Sequence, residues 1–302
     1  MSRLFRNTLI VLLVLTGPFM ILTMIFQGFF SPLPSLVSYL IGALYALVCL
    51  AILRRTPLWP KWSTTGTWWV LAALLWGAGV SYAVAGAVGY SAVDMSMALR
   101  WEDAIASFGG AWPEEAAKAL GVLFVLLSFK RFNRPWHGFV VGMIVGLGFE
   151  TLENAMYGSM LGMFHPSSDM LGMLQTWGIR MVFLPFLHIA WTGAVGWAIG
   201  LALYTGEKSL GWRIRVVAIY FLYAFACHFA WNYSLDDYTL FVAKNVIVGI
   251  VMYAVWIYVW VKAWRAATSD RSYVFTHKPL RSVSEVEALD AQSPEAAVSA
   301  GG

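Results

Sequence analysis

Charged residues are scarce in this sequence of 302 residues. Asp, Glu, Lys and Arg make up only 12% of it, whereas hydrophobic residues make up 60%. A soluble domain normally carries about a quarter charged residues. The composition therefore argues against a water-soluble globular protein and indicates a chain whose main solvent is lipid, and we expect no nucleic-acid partner.

Cysteine is rarer still, and several common motifs are missing. Cys49 and Cys227 lie inside apolar runs, form no C-x-x-C motif and exclude a disulfide framework. No phosphate-binding loop is present, which argues against a transport ATPase. No small-x-small cleavage site follows the first apolar stretch, so we interpret that stretch as a retained helix rather than a signal peptide.

Long apolar runs are what the sequence does contain. A helix needs roughly 20 apolar residues to cross the hydrocarbon core of a bilayer. Runs of that size occur at about 7–30, 35–53, 66–90, 111–129, 136–160, 178–204, 213–234 and 240–264. The sequence therefore predicts an all-α polytopic membrane protein, with about eight transmembrane helices in residues 1–265 and a disordered cytoplasmic tail in residues 266–302.

Positive charge alternates between the connecting loops. The N-terminus, the loops after the second, fourth and sixth spans, and the segment after the eighth span are basic, whereas the remaining loops hold only Arg100. Cytoplasmic loops are enriched in Lys and Arg. This pattern predicts that both termini are cytoplasmic, which agrees with an even number of spans. We expect a multi-pass protein of the bacterial inner (plasma) membrane.

Four consecutive spans carry polar residues well inside them. The residues are Glu114, Glu115 and Lys118 in the fourth span, Glu150, Glu153 and Asn154 in the fifth, His188 in the sixth, and His228 and Asn232 in the seventh. A charge at the middle of a span costs a few kcal/mol on insertion scales. Because the other spans hold almost nothing ionisable, this concentration predicts one shared site.

The depths of these residues match. At a rise of 1.5 Å per residue, one group from each span lies roughly 21–25 Å from the predicted cytoplasmic end of its span. The four groups are Glu115, Glu153, His188 and His228. Neighbouring spans run in opposite directions, so chain order does not impose this agreement. It favours a functional site in the outer part of the membrane over separate structural ion pairs and hydrogen bonds.

Two prolines lie next to these residues. Pro113 precedes the acidic pair and suits the first position of a helix, which would place both carboxylates near a positive dipole end. Pro185 lies three residues before His188 and should kink the sixth span. We therefore expect one helix to begin beside the glutamates and another to bend beside the histidine.

Carboxylates and imidazoles without a positioned Ser or Cys indicate water as the nucleophile. Peptide hydrolysis then needs a base and a group that stabilises the oxyanion, and a divalent metal, in particular zinc, would serve both. The sequence predicts Glu153, His188 and His228 as ligands. Either Glu114 or Glu115 would be the base and Asn232 the oxyanion donor or an orienting group, with Lys118, Glu150 and Asn154 in supporting positions.

The same residues form an ordered set of motifs. They read E-E-x-x-K from Glu114, F-x-x-x-E-N from Phe149, H-x-x-W-T-G from His188 and H-x-x-W-N from His228. The set resembles the PrsW family of bacterial intramembrane proteases, which is related to the CAAX prenyl-protease and bacteriocin-processing group. The resemblance covers roughly residues 105–235, the expected protease core.

The resemblance has functional implications. It implies that the paired glutamates and the histidines are needed for proteolysis. It also implies membrane-protein substrates of the anti-sigma-factor type, cleaved at the outer face. Two mechanisms stay open, a metal-bound water and a glutamate-activated water with a His and Asn oxyanion hole as in the CAAX relatives.

Three other functions are compatible with parts of the pattern. A proton-coupled transporter also uses intramembrane Glu and His, but it predicts inverted repeats or broken helices in corresponding halves. A CAAX-type prenyl endopeptidase should have its site nearer the inner face. A catalytically silent scaffold or immunity protein is the third alternative, and cleavage of a co-expressed substrate separates it from a protease.

Overall fold

The computed structural model describes residues 3–60, 67–129, 132–183, 185–270, 273–274 and 281–282. Most of the described chain is helical. The α-helices are α1 (Arg3–Phe30), α2 (Pro32–Arg54), α3 (Trp68–Leu75), α4 (Tyr82–Ala98), α5 (Ile105–Ser128), α6 (Pro135–Gly162), α7 (Asp169–Val182), α8 (Leu187–Tyr204), α9 (Leu210–Asn232) and α10 (Tyr238–Ser269). A π-helical turn, Trp76–Ser81, joins α3 to α4, and a short 3-10 helix, Glu102–Ala104, precedes α5.

The predicted membrane-helix bundle is confirmed. Seven stretches of the described chain are long and apolar enough to cross a bilayer, with Trp68–Ala98 and Asp169–Tyr204 each counted as one. Helix α5 has 24 residues, enough to span roughly 36 Å at the standard rise. It is not counted among the seven because every 18-residue stretch of it contains three charged residues, Glu114, Glu115 and Lys118. The cytoplasmic orientation of the termini stays a prediction.

The sixth predicted span is broken rather than kinked. Helix α7 ends at Val182 and α8 begins at Leu187, so two helices replace the expected single helix with a bend at Pro185. Phe186 adopts a left-handed backbone conformation with φ 68°, which is rare for a bulky residue. Helix α7 also begins inside the predicted outer loop 161–177, at Asp169.

The predicted helix start at Pro113 is wrong. Helix α5 begins eight residues earlier, at Ile105, and Pro113 lies inside it. The two helical turns before Pro113 pack on α4. The two backbones approach closely there, since a Cβ on Gly89 would lie 2.9 Å from the carbonyl oxygen of Gly109. Glu114 and Glu115 therefore lie within the helix, away from its dipole end.

Helix α6 is the central element, and it packs antiparallel against α8 through small residues. Gly138, Gly142 and Gly146 recur every four residues, and Glu150 continues the same face. The side of α8 that packs against these residues carries His188, Thr192, Gly196 and Gly200. A Cβ on Gly142 would collide with the carbonyl oxygen of Thr192, and one on Gly146 with that of His188. Such close backbone approach is typical of membrane helices.

The outer helices present their apolar side chains to the surroundings. Helices α1, α2, α9 and α10 are mostly exposed, whereas α6 and α8 are almost wholly buried. Most of the predicted disordered tail lies outside the described residues. Within it, α10 extends to Ser269 and Tyr273–Val274 pairs antiparallel with Arg281–Ser282.

Candidate active site

The predicted polar residues converge at one place between helices α5, α6, α8 and α9. Helix α5 supplies Glu114, Glu115 and Lys118, α6 supplies Glu150, Glu153 and Asn154, α8 supplies His188, and α9 supplies His228 and Asn232. The two imidazole rings lie 5.1 Å apart, centre to centre. Hydrogen bonds and ion pairs join the glutamates to the two histidines or to the backbone around them.

His228 is held between two glutamates and a tryptophan. Its Nδ1 lies 2.9 Å from Glu115 Oε1 and its Nε2 lies 3.8 Å from Glu114 Oε2. The indole of Trp191 stacks on the imidazole at 4.7 Å. A carboxylate bonded to one ring nitrogen fixes the tautomer and orients the other nitrogen. The Glu115 contact therefore directs Nε2 toward Glu114.

His188 has a matching arrangement with one addition. Its Nε2 lies 3.1 Å from Glu153 Oε2, and its Nδ1 lies 4.0 Å from Glu114 Oε2. The ammonium group of Lys118 is only 2.7 Å from the same Nδ1. Each histidine thus has one nitrogen on an outer glutamate and the other facing Glu114, but at His188 a cation already contacts that second nitrogen.

Lys118 is a fully buried cation at the centre of the cluster. Its Nζ lies 2.7 Å from Glu115 Oε1 and 3.5 Å from Glu114 Oε2. The ammonium also lies 4.4 Å from the centre of the Phe149 ring. A buried charge is stable only when it is paired. Lys118 therefore stabilises the ionised form of both neighbouring carboxylates.

Glu150 holds the beginning of α8 in place. Its carboxylate accepts hydrogen bonds from the backbone amides of Phe186 at 3.1 Å and His188 at 3.0 Å. Tyr45 of α2 donates its hydroxyl to the same carboxylate at 2.6 Å. The first amides of a helix lack intrahelical partners and attract negative charge. Glu150 is thus a helix cap supplied by α6, and it fixes the backbone that carries His188.

Glu153 is paired with an arginine of α7. Arg180 Nη2 lies 2.5 Å from Glu153 Oε2, its Nε donates to Asn154 Oδ1, and its guanidinium covers the ring of Tyr157 at 4.7 Å. The α7 helix is joined to the active site by these contacts. Arg180 is therefore part of the site, although it is not among the predicted residues.

A cavity of about 390 Å³ opens beside the cluster. Its lining includes Glu114, Glu153, His188, His228 and Asn232, and excludes Glu115 and Glu150. We call it the active-site cavity. Asn232 donates from Nδ2 to the carbonyl of Ala106 at 3.3 Å, so its amide lies in the cavity wall. Only the lining carboxylates can reach water or substrate there.

One glycine keeps this cavity open. A Cβ on Gly110 would lie 2.9 Å from Asn232 Nδ2 and 3.3 Å from Glu114 Oε1. Gly110 itself lines the cavity. Any larger residue would push into the space between the amide and the carboxylate. Gly110 was not predicted, because a single glycine on an apolar helix carries no distinguishing signal in the sequence.

The donor atoms suit a divalent cation. Ligand atoms of Glu114, His188 and His228 all lie within 4.8 Å of one another, and Glu114 Oε2 is buried without a hydrogen-bond partner. Four carboxylates and two cations leave the ionised cluster with a formal charge of −2. These charged groups are Glu114, Glu115, Glu150, Glu153, Lys118 and Arg180. A divalent cation would neutralise the cluster, with Lys118 displaced from His188 Nδ1 if that nitrogen is the ligand.

The observed contacts of Glu114, Glu115 and Glu153 differ from the predicted ones, and the catalytic role of each residue stays a prediction. The carboxylate that faces both histidines is that of Glu114, whereas Glu153 lies outside His188 and Glu115 lies outside His228. Tyr45 and Arg180 also complete the site from helices that the motifs do not include. Arg180 is the third residue of the predicted sixth span, where an arginine near a membrane interface is ordinary, so the sequence carries no distinct signal for it.

Comparison with known proteins supports one family. The family model described as "PrsW family intramembrane metalloprotease" matches residues 65–261. No curated protein and no solved structure is significantly similar to the chain. The match is longer than the predicted core and takes in α3, α4 and the first part of α10, up to residue 261, as well as the four motif helices. With most of its length matched, the chain belongs to the PrsW family of intramembrane metalloproteases.

Proposed function

We propose that this intramembrane protease hydrolyses single-span membrane proteins of the anti-sigma-factor type at a divalent metal held by Glu114, His188 and His228. The observation that carries the proposal is that ligand atoms of these three residues lie within 4.8 Å of one another, where Glu114 Oε2 is buried without a hydrogen bond. The site lies inside the helix bundle and has a cavity that can admit water and a peptide segment. We expect the protein in the bacterial plasma membrane.

The metal would be zinc or a similar divalent ion. When bound, such an ion polarises a carbonyl oxygen and lowers the pKa of water to about 7. Two imidazoles and one carboxylate form a ligand set that catalytic zinc sites use. Glu115 and Glu153 would orient the two histidines, because each already contacts the nitrogen that faces away from Glu114.

Glu153 is our candidate for the general base. It lines the active-site cavity, whereas Glu115 is buried behind His228 and does not. Glu153 would take a proton from the attacking water and return it to the amine that leaves when the C–N bond breaks. Arg180 already contacts this carboxylate and would hold it in place between the two proton transfers.

Asn232 and Arg180 are our candidates for stabilising the oxyanion. Both line the active-site cavity and carry N–H donors. Donors placed where negative charge develops lower the barrier of acyl transfer. The hydrogen bond from Asn232 to Ala106 is long, at 3.3 Å, so exchanging it for a bond to substrate costs little.

The test combines metal analysis with cleavage of a co-expressed single-span anti-sigma factor. We expect about one metal ion per wild-type chain, and loss of metal and of cleavage in Glu114→Gln, His188→Ala and His228→Ala. Glu102→Gln is the matched control, because Glu102 lies outside the cluster. Metal content near zero in the wild type, or cleavage that survives in all three variants, would remove the proposal.

A further inference from the structure

A second cavity, of about 760 Å³, lies between α7 and α10. Ile179 and Phe183 line it on the α7 side, Val246 and Ile250 line it on the α10 side, and His188 is also in the lining. We call this cavity the lateral groove. Helix α7 packs mainly on α6 and α2, whereas α10 packs mainly on α8 and α9 and to a lesser extent on α6. The two walls therefore belong to helices with largely different neighbours and with space between them.

The lateral groove leads to the active-site cavity. Arg180, Leu187, His188 and Trp231 line both. The break between α7 and α8 lies at this junction, and its backbone is held by a hydrogen bond from Tyr253 of α10 to the carbonyl of Pro185 at 2.7 Å. Because the helix is interrupted here, His188 can be reached from the side of the bundle.

The rim of the groove faces the lipid. Phe183 is 69% exposed, Ile250 is 64% exposed and Val246 is 51% exposed. All three are large and apolar, as expected for side chains in contact with acyl chains or with another membrane helix. The groove is therefore an opening within the apolar belt of the protein and is suited to an apolar occupant.

One polar atom in the groove has no partner. Asn245 lines the groove, and its Oδ1 is buried without a hydrogen bond. An unsatisfied buried carbonyl is costly and calls for a donor. A transmembrane helix must unwind locally before its peptide bond can be attacked, and the freed amides find no water in lipid. An acceptor on the path to the active site meets that need.

We propose that the lateral groove admits a transmembrane segment of the substrate from the lipid, and that Asn245 accepts a backbone N–H of its unwound residues. This inference rests on the proposed function, since it supplies the route to the same site. The favoured occupant is another membrane protein, because the groove joins an apolar rim to a catalytic cavity through a hydrogen-bond acceptor. An acyl chain or a second copy of this chain would not use that acceptor.

The binding test uses photo-crosslinking in the Glu114→Gln background, which is expected to be inactive. We would incorporate p-benzoylphenylalanine at Val246 and co-express a tagged single-span anti-sigma factor as the probe. The matched control is the same residue at Val14 on α1, a valine that is 65% exposed and lies outside the groove. We expect a crosslinked product from position 246 at least fivefold stronger than from position 14.

The cleavage test fills the groove in the active protein. Val246→Trp and Asn245→Leu should each lower the cleavage rate of the probe about tenfold or more without changing metal content, and Val14→Trp should leave both unchanged. Three results would overturn the proposal that the groove admits the substrate: equal crosslinking from the two positions, crosslinking only to a second copy of this chain, or cleavage by Val246→Trp at the wild-type rate. Strong crosslinking from position 246, with no cleavage of the probe by the wild-type protein, would support substrate binding in the groove and would overturn the proposed function instead.

Discussion

At the scale of single residues, the site is a set of paired contacts that surround the carboxylate of Glu114. Glu115 orients His228, Glu153 contacts His188, and Glu114 faces both rings with a buried oxygen that has no hydrogen-bond partner. Removing the partner of a buried charge is usually more costly than removing the whole pair. The most informative substitutions are therefore those that change one charge or one contact.

Lys118→Met removes the buried cation that lies between Glu114 and Glu115. We expect it to lower the free energy of unfolding of the metal-free protein by about 3–5 kcal/mol, because a buried carboxylate loses its partner. Added zinc should recover more stability in the variant than in the wild type, since the ion supplies the missing positive charge. Thermal unfolding in detergent, with chelator and then with zinc, measures both effects.

Lys208→Met is the control for that comparison, because Lys208 lies in the turn before α9, where its ammonium contacts the ring of Trp212. It should unfold like the wild type with and without zinc. Wild-type stability of Lys118→Met in chelator would show that the lysine does not balance the two carboxylates.

Gly110→Ala should lower activity with little effect on folding. The added methyl would lie 2.9 Å from Asn232 Nδ2 and 3.3 Å from Glu114 Oε1, so either side chain must shift by a few tenths of an ångström. We expect cleavage to fall about tenfold. The matched control is Gly17→Ala, where nothing lies within 4 Å of the new methyl. Equal cleavage by the two variants would contradict a role for this space.

Residue patterns predicted which side chains share a site, but not the contact of each one. The depth count placed acidic groups and histidines at one level, and the structure brings them together. Adjacent residues such as Glu114 and Glu115 point about 100° apart on a helix. Which of them faces both histidines depends on the rotation of α5 in the bundle, and tertiary packing alone sets that rotation.

At the scale of helices, the seam between α6 and α8 positions the chemistry. The glycines of α6 lead at four-residue intervals to Glu150, and the facing residues of α8 lead to His188. Glu150 then caps α8 at the point where the chain leaves the broken span. The contact between Glu150 and the His188 backbone is therefore a consequence of how closely the two helices approach.

Gly142→Ala tests this seam. A methyl at this position would collide with the carbonyl oxygen of Thr192, so α6 and α8 must separate. Overpacking of this kind costs on the order of 1–3 kcal/mol, and it should also move His188 away from Glu150. We expect a lower unfolding midpoint and at least a tenfold loss of cleavage. Unchanged cleavage together with unchanged stability would mean that the helices do not need this close approach.

Helix boundaries were the least predictable feature at this scale. The number of apolar runs predicted the bundle, but Pro113 lies inside α5 and Pro185 lies in a complete break. Proline removes one backbone donor in either position. Contacts with neighbouring helices determine whether the helix continues through the proline. Packing on α4 extends α5 past Pro113, whereas the carboxylate of Glu150 and the hydroxyl of Tyr253 satisfy the open backbone around Pro185.

At the scale of the whole molecule, a shell of lipid-facing helices surrounds a polar centre. Composition and apolar run length predicted the shell, because both respond directly to the bilayer. The four motifs predicted the polar residues at the centre of the bundle. The lateral groove could not be predicted in this way, since it depends on the gap between α7 and α10, which are more than 50 residues apart in sequence.

X-ray absorption spectroscopy of the purified, zinc-loaded protein tests the central claim most directly. If Glu114, His188 and His228 hold the ion together, the spectrum should show two imidazole nitrogens among low-coordination N and O ligands. His188→Ala, loaded with excess zinc to offset its weakened binding, should show one imidazole fewer, and Glu114→Gln should weaken zinc binding about tenfold or more. A spectrum without imidazole, or one that is the same in the wild type and both variants, would contradict the account.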